Sequence, residues 1–242
     1  PNDYHASPLS NFTFDILNGI NVSIDADLYV SPYGDNTNDG LTPQSALKTI
    51  QQATSIILAD SLHPHTIFLA NGIYSPSSND EYFPIEVIDY VSFFGDSEAG
   101  VILNAEGIGS VMRCLNVNYS NLNNLTLTGG SDILVGGLYI EYSNPILTNM
   151  TITDNNIGTY SSSGGILCIS SNLSLSNVTI TNNSGNAGGG IRSNHSNLSL
   201  SNVTIANNLA YAGGGGILCD HSSMNLNNVR ITNNSANGFG SG

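Results

Sequence analysis

The C-terminal half of the chain is a tandem repeat with a period close to 25 residues. Its clearest copy reads Gly-Gly-Ile-Leu-Cys at 164–168, Asn-Leu-Ser-Leu-Ser at 172–176 and Asn-Val-Thr-Ile-Thr-Asn-Asn at 177–183. The Asn that opens the last phrase recurs with steps of 25, 28, 25 and 26 residues, at Asn124, Asn149, Asn177, Asn202 and Asn228. A repeat of this length cannot bury its apolar face alone, so the pattern is typical of a solenoid of stacked coils.

Apolar residues within each coil alternate with Ser, Thr and Asn, which is the two-residue period of a β-strand. Only 9% of the 242 residues are charged, and 26 are Gly, but 40% are hydrophobic and placed with strand period. This combination favours a packed β protein over a disordered chain. We therefore predict an all-β fold: a right-handed parallel β-helix solenoid with three short strands per coil.

The chain divides into three predicted parts. Residues 1–27 are predicted to form an N-terminal arm or cap strand, and residues 28–107 a cap module with irregular first coils. Residues 108–242 are predicted to form regular coils of about 25 residues that continue or dock beyond 242. Thr42 followed by Pro43, with apolar residues at helical spacing, predicts a capping α-helix over about 43–58.

The net charge of -14 comes from 18 Asp and Glu residues against four basic ones, Lys48, Arg113, Arg192 and Arg230. Phosphate backbones are bound by clustered Lys and Arg, so the composition disfavours nucleic acid as a partner. No apolar run is long enough to cross a bilayer, and we predict no membrane insertion. The partners that remain are other copies or further coils of the same polypeptide, or glycans.

Three cysteines, Cys114, Cys168 and Cys219, fall at one position of the repeat. In the predicted coils Cys168 and Cys219 lie two rungs apart, roughly 9 to 10 Å, which is beyond the reach of a disulfide. We predict that all three are buried free thiols.

The N-terminal segment resembles a known module. Tyr29-Val30-Ser31-Pro32-Tyr33-Gly34-Asp35, Leu47-Lys48-Thr49-Ile50 and Asn71-Gly72-Ile73-Tyr74 are similar to the start of many secreted right-handed parallel β-helix proteins of the pectin-lyase-like superfamily. The repeats resemble those of polymorphic outer membrane proteins, with Gly-Gly-Ile or Gly-Gly-Leu for Gly-Gly-Ala-Ile and Ile-x-x-Asn for Phe-x-x-Asn. The resemblance implies the fold and a secreted or cell-surface location. It does not imply an activity, because the Asp-rich motifs of hydrolases in that superfamily are missing.

The recurring Asn residues fall in register at a turn. Stacked side-chain amides can bond to one another and to turn backbone, so Asn124, Asn149, Asn177, Asn202 and Asn228 are predicted to form a structural ladder.

Departures from the repeat give a candidate ligand-binding face on the outer side of the first strand. Its members are Tyr139, Glu141, Arg192, Asn194, His195, Asp220 and His221. These residue types could bind a sugar or support acid and base steps. Leu167 and Ile169 interrupt the polar columns, so the alternative is that the paired His residues are a coincidence of repeat copying. No catalytic residue is assigned.

The loop from Asp35 to Gly40 offers oxygen ligands, and Asp35 and Asp39 are candidate Ca²⁺ ligands. Ala46 stands where an EF-hand has its bidentate Glu, so the loop is not an EF-hand. The alternative is a turn held by Asx hydrogen bonds, with no cofactor.

Two functional hypotheses follow. The first is a non-catalytic extracellular or cell-surface β-helix that serves as a structural stalk, adhesin or self-assembling module. The second is a carbohydrate-active enzyme, either a polysaccharide lyase or a hydrolase, or a sugar-binding module that uses the candidate face.

Overall fold

A computed structural model describes residues 23–157 and 162–238 of the chain. The predicted N-terminal arm falls almost entirely within residues 1–22 and so lies outside the described part. No helix in the described part is long and apolar enough to cross a membrane.

Strands account for most of the regular structure. Two helices occur among the described residues, α1 (Ile50–Ile56) and α2 (Pro76–Asn79), with a 3₁₀ turn at Pro43–Ser45. The strands in chain order are β1 (Leu28–Val30), β2 (His65–Leu69), β3 (Gly72–Tyr74), β4 (Ile85–Val87), β5 (Val91–Gly95), β6 (Val101–Asn104), β7 (Met112–Leu115), β8 (Asn121–Thr128), β9 (Leu138–Glu141), β10 (Ile146–Thr153), β11 (Ile166–Ile169), β12 (Asn172–Thr181), β13 (Ser184–Gly185), β14 (Ile191–Asn194), β15 (Asn197–Ala206), β16 (Leu209–Ala210), β17 (Ile217–Asp220), β18 (Ser223–Thr232) and β19 (Ser235–Ala236).

These strands form three parallel sheets that run along the stack of coils. The long sheet follows the order β1-β2-β5-β8-β10-β12-β15-β18, with β3 and β6 paired beside it. The front sheet is β17-β14-β11-β9-β7-β4, and the corner sheet is β13-β16-β19. Each strand pairs in parallel with its copy one coil away, for example Leu175 with Leu200 and Ile166 with Ile191. The chain is therefore a parallel β-solenoid, as predicted.

The predicted second and third strands of each coil run together as one long strand with a bend. The bend lies at the repeated Asn, which adopts left-handed backbone angles, with φ between 51° and 57° at Asn124, Asn149, Asn177, Asn202 and Asn228. Asn tolerates this conformation better than other residues with a side chain. A single residue thus turns the strand while the pairing on either side continues.

The core is a column of apolar side chains between the long and front sheets. Leu198, Leu200, Val203 and Ile205 of β15 are all buried, and so are their partners one coil earlier. Because the inward residues of every coil fall in the same columns, each coil packs against the next with the same side-chain types.

The capping helix is shorter than the predicted span of 43–58. Thr42 and Pro43 open only a 3₁₀ turn, and Thr49 caps α1 by accepting from the backbone N–H of Gln52 at 3.2 Å. Between them, Leu47 exchanges backbone hydrogen bonds with Tyr29 and Ser31 at 2.9 Å. Pairing with β1 pulls this segment into an extended conformation, so one continuous helix cannot form.

The prediction of three buried thiols is wrong for one of them. Cys114 and Cys168 are buried, but Cys219 is exposed. Cys168 is covered by Ser193 of the following coil, whereas Cys219 lies in β17, which has no following coil in the described part of the chain.

Differences in coil length concentrate at one corner, between the second Asn of each Ile-x-x-Asn phrase and the next Gly-Gly pair. Nine positions separate Asn155 from Gly164 (164 minus 155), against six from Asn183 to Gly189 and seven from Asn208 to Gly215. The long strands on either side keep their register across all these coils. The corner therefore absorbs the variation in step length.

Candidate functional site

The predicted ligand-binding residues lie along the outer surface of the front sheet. Tyr139 and Arg192 belong to one column, with Leu167 between them on the intervening strand. Glu141, Asn194 and Asp220 belong to the next column, in which Ile169 separates Glu141 from Asn194. The sheet therefore brings the predicted residues onto one face, but in two groups. The first group is Tyr139 and Glu141 on β9, and the second consists of Arg192, Asn194, His195, Asp220 and His221 on or directly after β14 and β17.

Leu167 divides the two groups physically. Leu167 occupies an outward-facing position in the alternation of the strand, but its side chain is only 2% exposed. An apolar side chain packed down between Tyr139 and Arg192 fills the space that a continuous polar groove would need. The two groups are two rungs apart, or roughly 10 Å.

The first group is a local hydrogen-bonded unit. The Tyr139 hydroxyl donates to Oε2 of Glu141 at 2.8 Å. Burial, together with this bond to Glu141, raises the pKa of Tyr139 to about 12. On β7, which pairs with β9, Arg113 forms an ion pair with Glu86, and Nε of Arg113 donates to Oε2 of Glu86 at 3.0 Å. The carboxylates on this part of the face are thus each engaged by a neighbouring side chain.

The Arg192 side chain turns toward the preceding coil and not toward the other members of the second group. Its Nη1 donates to the Ser162 hydroxyl, and its buried Nε has no hydrogen-bond partner within the described residues. The guanidinium is therefore not directed at Asp220 or the histidines.

The second group is built around two stacked imidazoles. The rings of His195 and His221 are 4.8 Å apart and within 5° of parallel. Nδ1 of His195 lies 2.5 Å from Oδ1 of Asn194, and Nδ1 of His221 lies 2.7 Å from Oδ1 of Asp220. Both histidines sit at the same left-handed turn position, with φ of 49° and 46°. Side-chain exposures of 72% for His221 and 60% for Asp220 leave this pair in solvent, where an ion pair contributes little.

The five repeated Asn residues form a continuous chain of side-chain hydrogen bonds. Each Nδ2 donates to Oδ1 of the Asn one coil earlier, at 3.1 Å from Asn149, Asn177 and Asn202 and at 2.8 Å from Asn228. Nδ2 of Asn124 closes the series by donating to the carbonyl of Gly95 at 3.0 Å. The ladder supports the bend of the long strand at every coil.

A second Asn ladder lies inside the solenoid and was not predicted from the sequence. Its members are the final Asn of each Ile-x-x-Asn phrase, Asn155, Asn183, Asn208 and Asn234. From Asn183 onward, each Oδ1 accepts both the side-chain Nδ2 and the backbone N–H of the preceding member, at 2.9 to 3.1 Å. Oδ1 of Asn155, the first member, accepts from the backbone N–H of Gly130 at 2.9 Å. The first three members are at most 1% exposed.

The glycine phrase is explained by this buried ladder. A Cβ on Gly165 would lie 2.4 Å from the carbonyl oxygen of Gly190 and 3.2 Å from Nδ2 of Asn183. The same approach recurs at Gly190 and Asn208. The Gly-Gly phrase and the Ile-x-x-Asn phrase are therefore two halves of one packing unit, which is the sequence signal that could have revealed the ladder.

The candidate Ca²⁺ loop is held by hydrogen bonds from the protein. Oδ1 of Asp35 accepts from the backbone N–H and the hydroxyl of Thr37, both at 2.9 Å, and the first of these lowers the pKa of Asp35 most. Oδ1 of Asp39 accepts from Ser45 at 2.7 Å and from the N–H of Leu41 at 3.0 Å. These are Asx-type turns. No group of three or more His, Cys, Asp and Glu side chains that could hold a metal ion occurs in residues 23–157 and 162–238.

Comparison with known proteins identifies a family. The family described as "Protein of unknown function (DUF1565)" matches residues 33–240, and the chain belongs to it. No curated protein matches the sequence.

Solved structures with a similar course of the chain include two pectin methylesterases. PemA from Erwinia chrysanthemi is 13% identical, with a TM-score of 0.43, and the match covers 85% of this chain and 80% of the PemA chain. The enzyme from Aspergillus niger is 13% identical with a TM-score of 0.37, covering 90% and 88%. At these scores the assignment of the fold rests on the strand pairing of the chain itself.

Proposed function

We propose that this member of the DUF1565 family is a non-catalytic β-helix protein that acts outside the cell or at the cell surface as a structural stalk, adhesin or self-assembling module. The observation that carries the proposal is the division of the front face by Leu167, which keeps Tyr139 and Glu141 apart from Arg192 and Asp220. Hydrolysis of a glycosidic bond ordinarily needs two carboxyl groups facing each other across the bond. Glu141 and Asp220 are three rungs apart, or roughly 14 Å, well beyond the usual separation.

The use of polar side chains supports the same proposal. The Asn residues of both ladders and the Glu86–Arg113 pair bond to other parts of the protein. Groups that are already bonded stabilise the coils and are less available for binding and transforming a substrate.

Activity measurements test the non-catalytic role. The chain is incubated with neutral and uronate-containing polysaccharides, and reducing ends, unsaturated products and released methanol are measured. We expect no turnover above a heat-denatured control. Turnover that Arg192→Ala or Glu141→Gln abolishes would instead establish the carbohydrate-active alternative on the candidate face.

Localisation needs a separate measurement. An antibody against the chain should label intact cells of the source, or its culture medium, without permeabilisation. Labelling that appears only after permeabilisation would contradict the extracellular role.

Self-association is supported by the last described coil. Leu226 and Ile231 of β18 are each 47% exposed, whereas their partners Leu200 and Ile205 on β15 are at most 1% exposed. Another coil, supplied by a second copy or by further sequence of the same polypeptide, would cover these side chains and continue both Asn ladders.

Sedimentation velocity over a range of concentrations tests this contact. We expect reversible association of residues 1–242 that Leu226→Arg weakens at least tenfold. Leu62→Arg is the matched control, because Leu62 is 80% exposed in a loop far from β18. A strict monomer, or equal effects of both changes, would overturn self-association through this coil.

A further inference from the structure

A cleft of about 600 Å³ opens on the outer surface of the long sheet, at the N-terminal end of the solenoid and away from the candidate face. It lies where β2, β5 and β8 begin. Two tyrosines and a column of small polar side chains line it, with His65 at one end. We infer that this cleft binds an uncharged oligosaccharide.

The tyrosines form a rigid aromatic platform. The rings of Tyr90 and Tyr119 are 5.0 Å apart and within 10° of parallel, and Tyr119 is 64% exposed. Aromatic rings offer a large apolar surface with a polar tip. The C–H face of a sugar ring packs against such a surface while its hydroxyls bond to polar groups at the edge.

The platform is held in place by the backbone around it. Oδ1 of Asp89 accepts from the N–H groups of Asn118 at 2.9 Å and Tyr119 at 2.8 Å, which joins the two turns that carry the rings. Tyr90 has a φ of 63°, a left-handed conformation that Gly or Asn would adopt at lower cost. Turns that are fixed in this way before binding lose little backbone entropy when a ligand arrives.

Polar side chains beside the platform are spaced to follow a sugar chain. Thr66 and Ser92 are register partners, and Oγ of Ser92 accepts from the backbone N–H of Asn121 at 3.2 Å, so the three occupy successive rungs. Rungs repeat about every 4.8 Å, which is close to the length of one hexose unit in an extended chain. Each rung thus offers a hydroxyl or amide group to one sugar.

Charge selects the class of sugar. Nε2 of His65 lies 2.9 Å from Oδ1 of Asp25, and Asp27 accepts from the N–H of Thr66 at 2.7 Å. Asp25, Asp27 and Asp89 are thus each hydrogen-bonded to a residue that lines the cleft, and carboxylates this close would repel a uronate chain. This charge disfavours acidic glycans and is compatible with a chain of uncharged hexoses or pentoses.

Glycan binding in this cleft would supply a ligand for the proposed surface role. It rests on that proposed function in one respect, namely that the glycan is bound without being cleaved. Native affinity electrophoresis and calorimetry with the full chain test it, using hydroxyethylcellulose, galactomannan and xylan as probes and polygalacturonate as the charged comparison. We expect binding of at least one neutral probe that Tyr119→Ala weakens at least tenfold and Tyr119→Phe weakens less than threefold.

Tyr33→Ala is the matched control, since Tyr33 is exposed at a distance from the cleft, and it should leave binding unchanged. Circular dichroism and the melting temperature confirm that Tyr119→Ala still folds. The inference is overturned by binding of polygalacturonate alone, by neutral binding that is indifferent to Tyr119→Ala, or by no binding at all. Release of products from a bound probe would instead contradict the non-catalytic role while leaving the cleft as a sugar site.

Discussion

Asn183 donates from Nδ2 to Oδ1 of Asn208 at 3.1 Å, and both side chains are buried at the centre of the repeat. Oδ1 of Asn183 in turn accepts the backbone N–H and the side-chain Nδ2 of Asn155, at 3.1 and 3.0 Å. Removing one amide from this series leaves several buried donors and acceptors without partners. The buried ladder should therefore contribute more to stability than amides that are hydrogen-bonded in series at the exposed surface.

Asn183→Ala tests that expectation. Unsatisfied buried polar groups cost about 1–3 kcal/mol each, so we expect a loss of about 3 kcal/mol in the free energy of unfolding. Asn172→Ala is the matched control, because Asn172 belongs to the same coil and bonds to Asn144 and Asn197 at the exposed surface. It should cost less than about 1 kcal/mol. Equal losses in denaturant titrations would show that burial of the ladder adds nothing.

The bend of the long strand can be separated from the hydrogen bonds of its Asn. Asn177 has a φ of 55° and bonds to Asn149 and Asn202. Both Asn177→Gly and Asn177→Ala remove these bonds, but only Gly adopts the left-handed angle without strain. We expect Ala to be less stable than Gly by about 1 kcal/mol in thermal or chemical unfolding. The opposite order would mean that the turn conformation contributes little.

Glu81 makes the stability of the cap depend on pH. Its carboxylate is buried and accepts from the backbone N–H groups of Ile50 at 2.7 Å and Gln51 at 3.1 Å. Burial raises the pKa of Glu81, and the bond from Ile50 opposes the rise. A raised folded-state pKa means that the folded protein holds the proton more tightly than the unfolded chain. This contribution is present below the unfolded pKa of about 4.3 and is lost as pH rises through the folded value.

Glu81→Gln removes this titration. We expect the stability of the wild-type protein relative to the variant to fall as pH is raised from about 4 toward neutrality. Unfolding titrations of both proteins across this range provide the measurement. A relative stability that rises with pH would contradict a raised pKa at Glu81.

The three thiols should differ in reactivity. Burial raises the pKa of Cys168 to about 11 and raises the pKa of Cys114 further, and neither side chain is accessible. Cys219 is exposed, although partial burial raises its pKa as well. Because the thiolate is the reactive form, we expect one thiol per native chain to react with Ellman's reagent, more slowly than a free thiol.

Cys219→Ser should abolish this native reaction, and unfolding should expose all three thiols of the wild-type chain. Fast reaction of two or three thiols in the native protein would contradict the described packing. A chain in which Cys219 is protected at high concentration but reactive on dilution would indicate that another copy covers β17.

The regular coils could be predicted from the sequence because one alignment of the repeat fixes every column. The register of Ile166 with Ile191 and the bend at Asn177 both follow from the phrases themselves. The extent of α1 could not be predicted, since Leu47 pairs with β1 through contacts that local helix signals do not report. Local propensity is overridden there by pairing between distant segments.

The sites were less predictable than the coils for two reasons. The burial of Leu167 depends on neighbours in adjacent coils, and an outward strand position alone does not reveal it. The pairing of Tyr90 with Tyr119 arises in irregular early coils, where no repeat indicates which residues are in register. The buried role of Asn183 was hidden because Asn in a turn phrase usually suggests an exposed turn.

The corner between the buried Asn and the following Gly-Gly pair offers a route for modifying the protein. The strands on both sides keep the same pairing whether six, seven or nine positions separate the buried Asn from the Gly-Gly pair. A peptide tag or recognition loop could therefore be grafted between β13 and Gly189, or between β16 and Gly215, with the sheets unchanged. Several such grafts along the stack would be displayed in a row, one per coil, at a spacing set by the pitch of the solenoid.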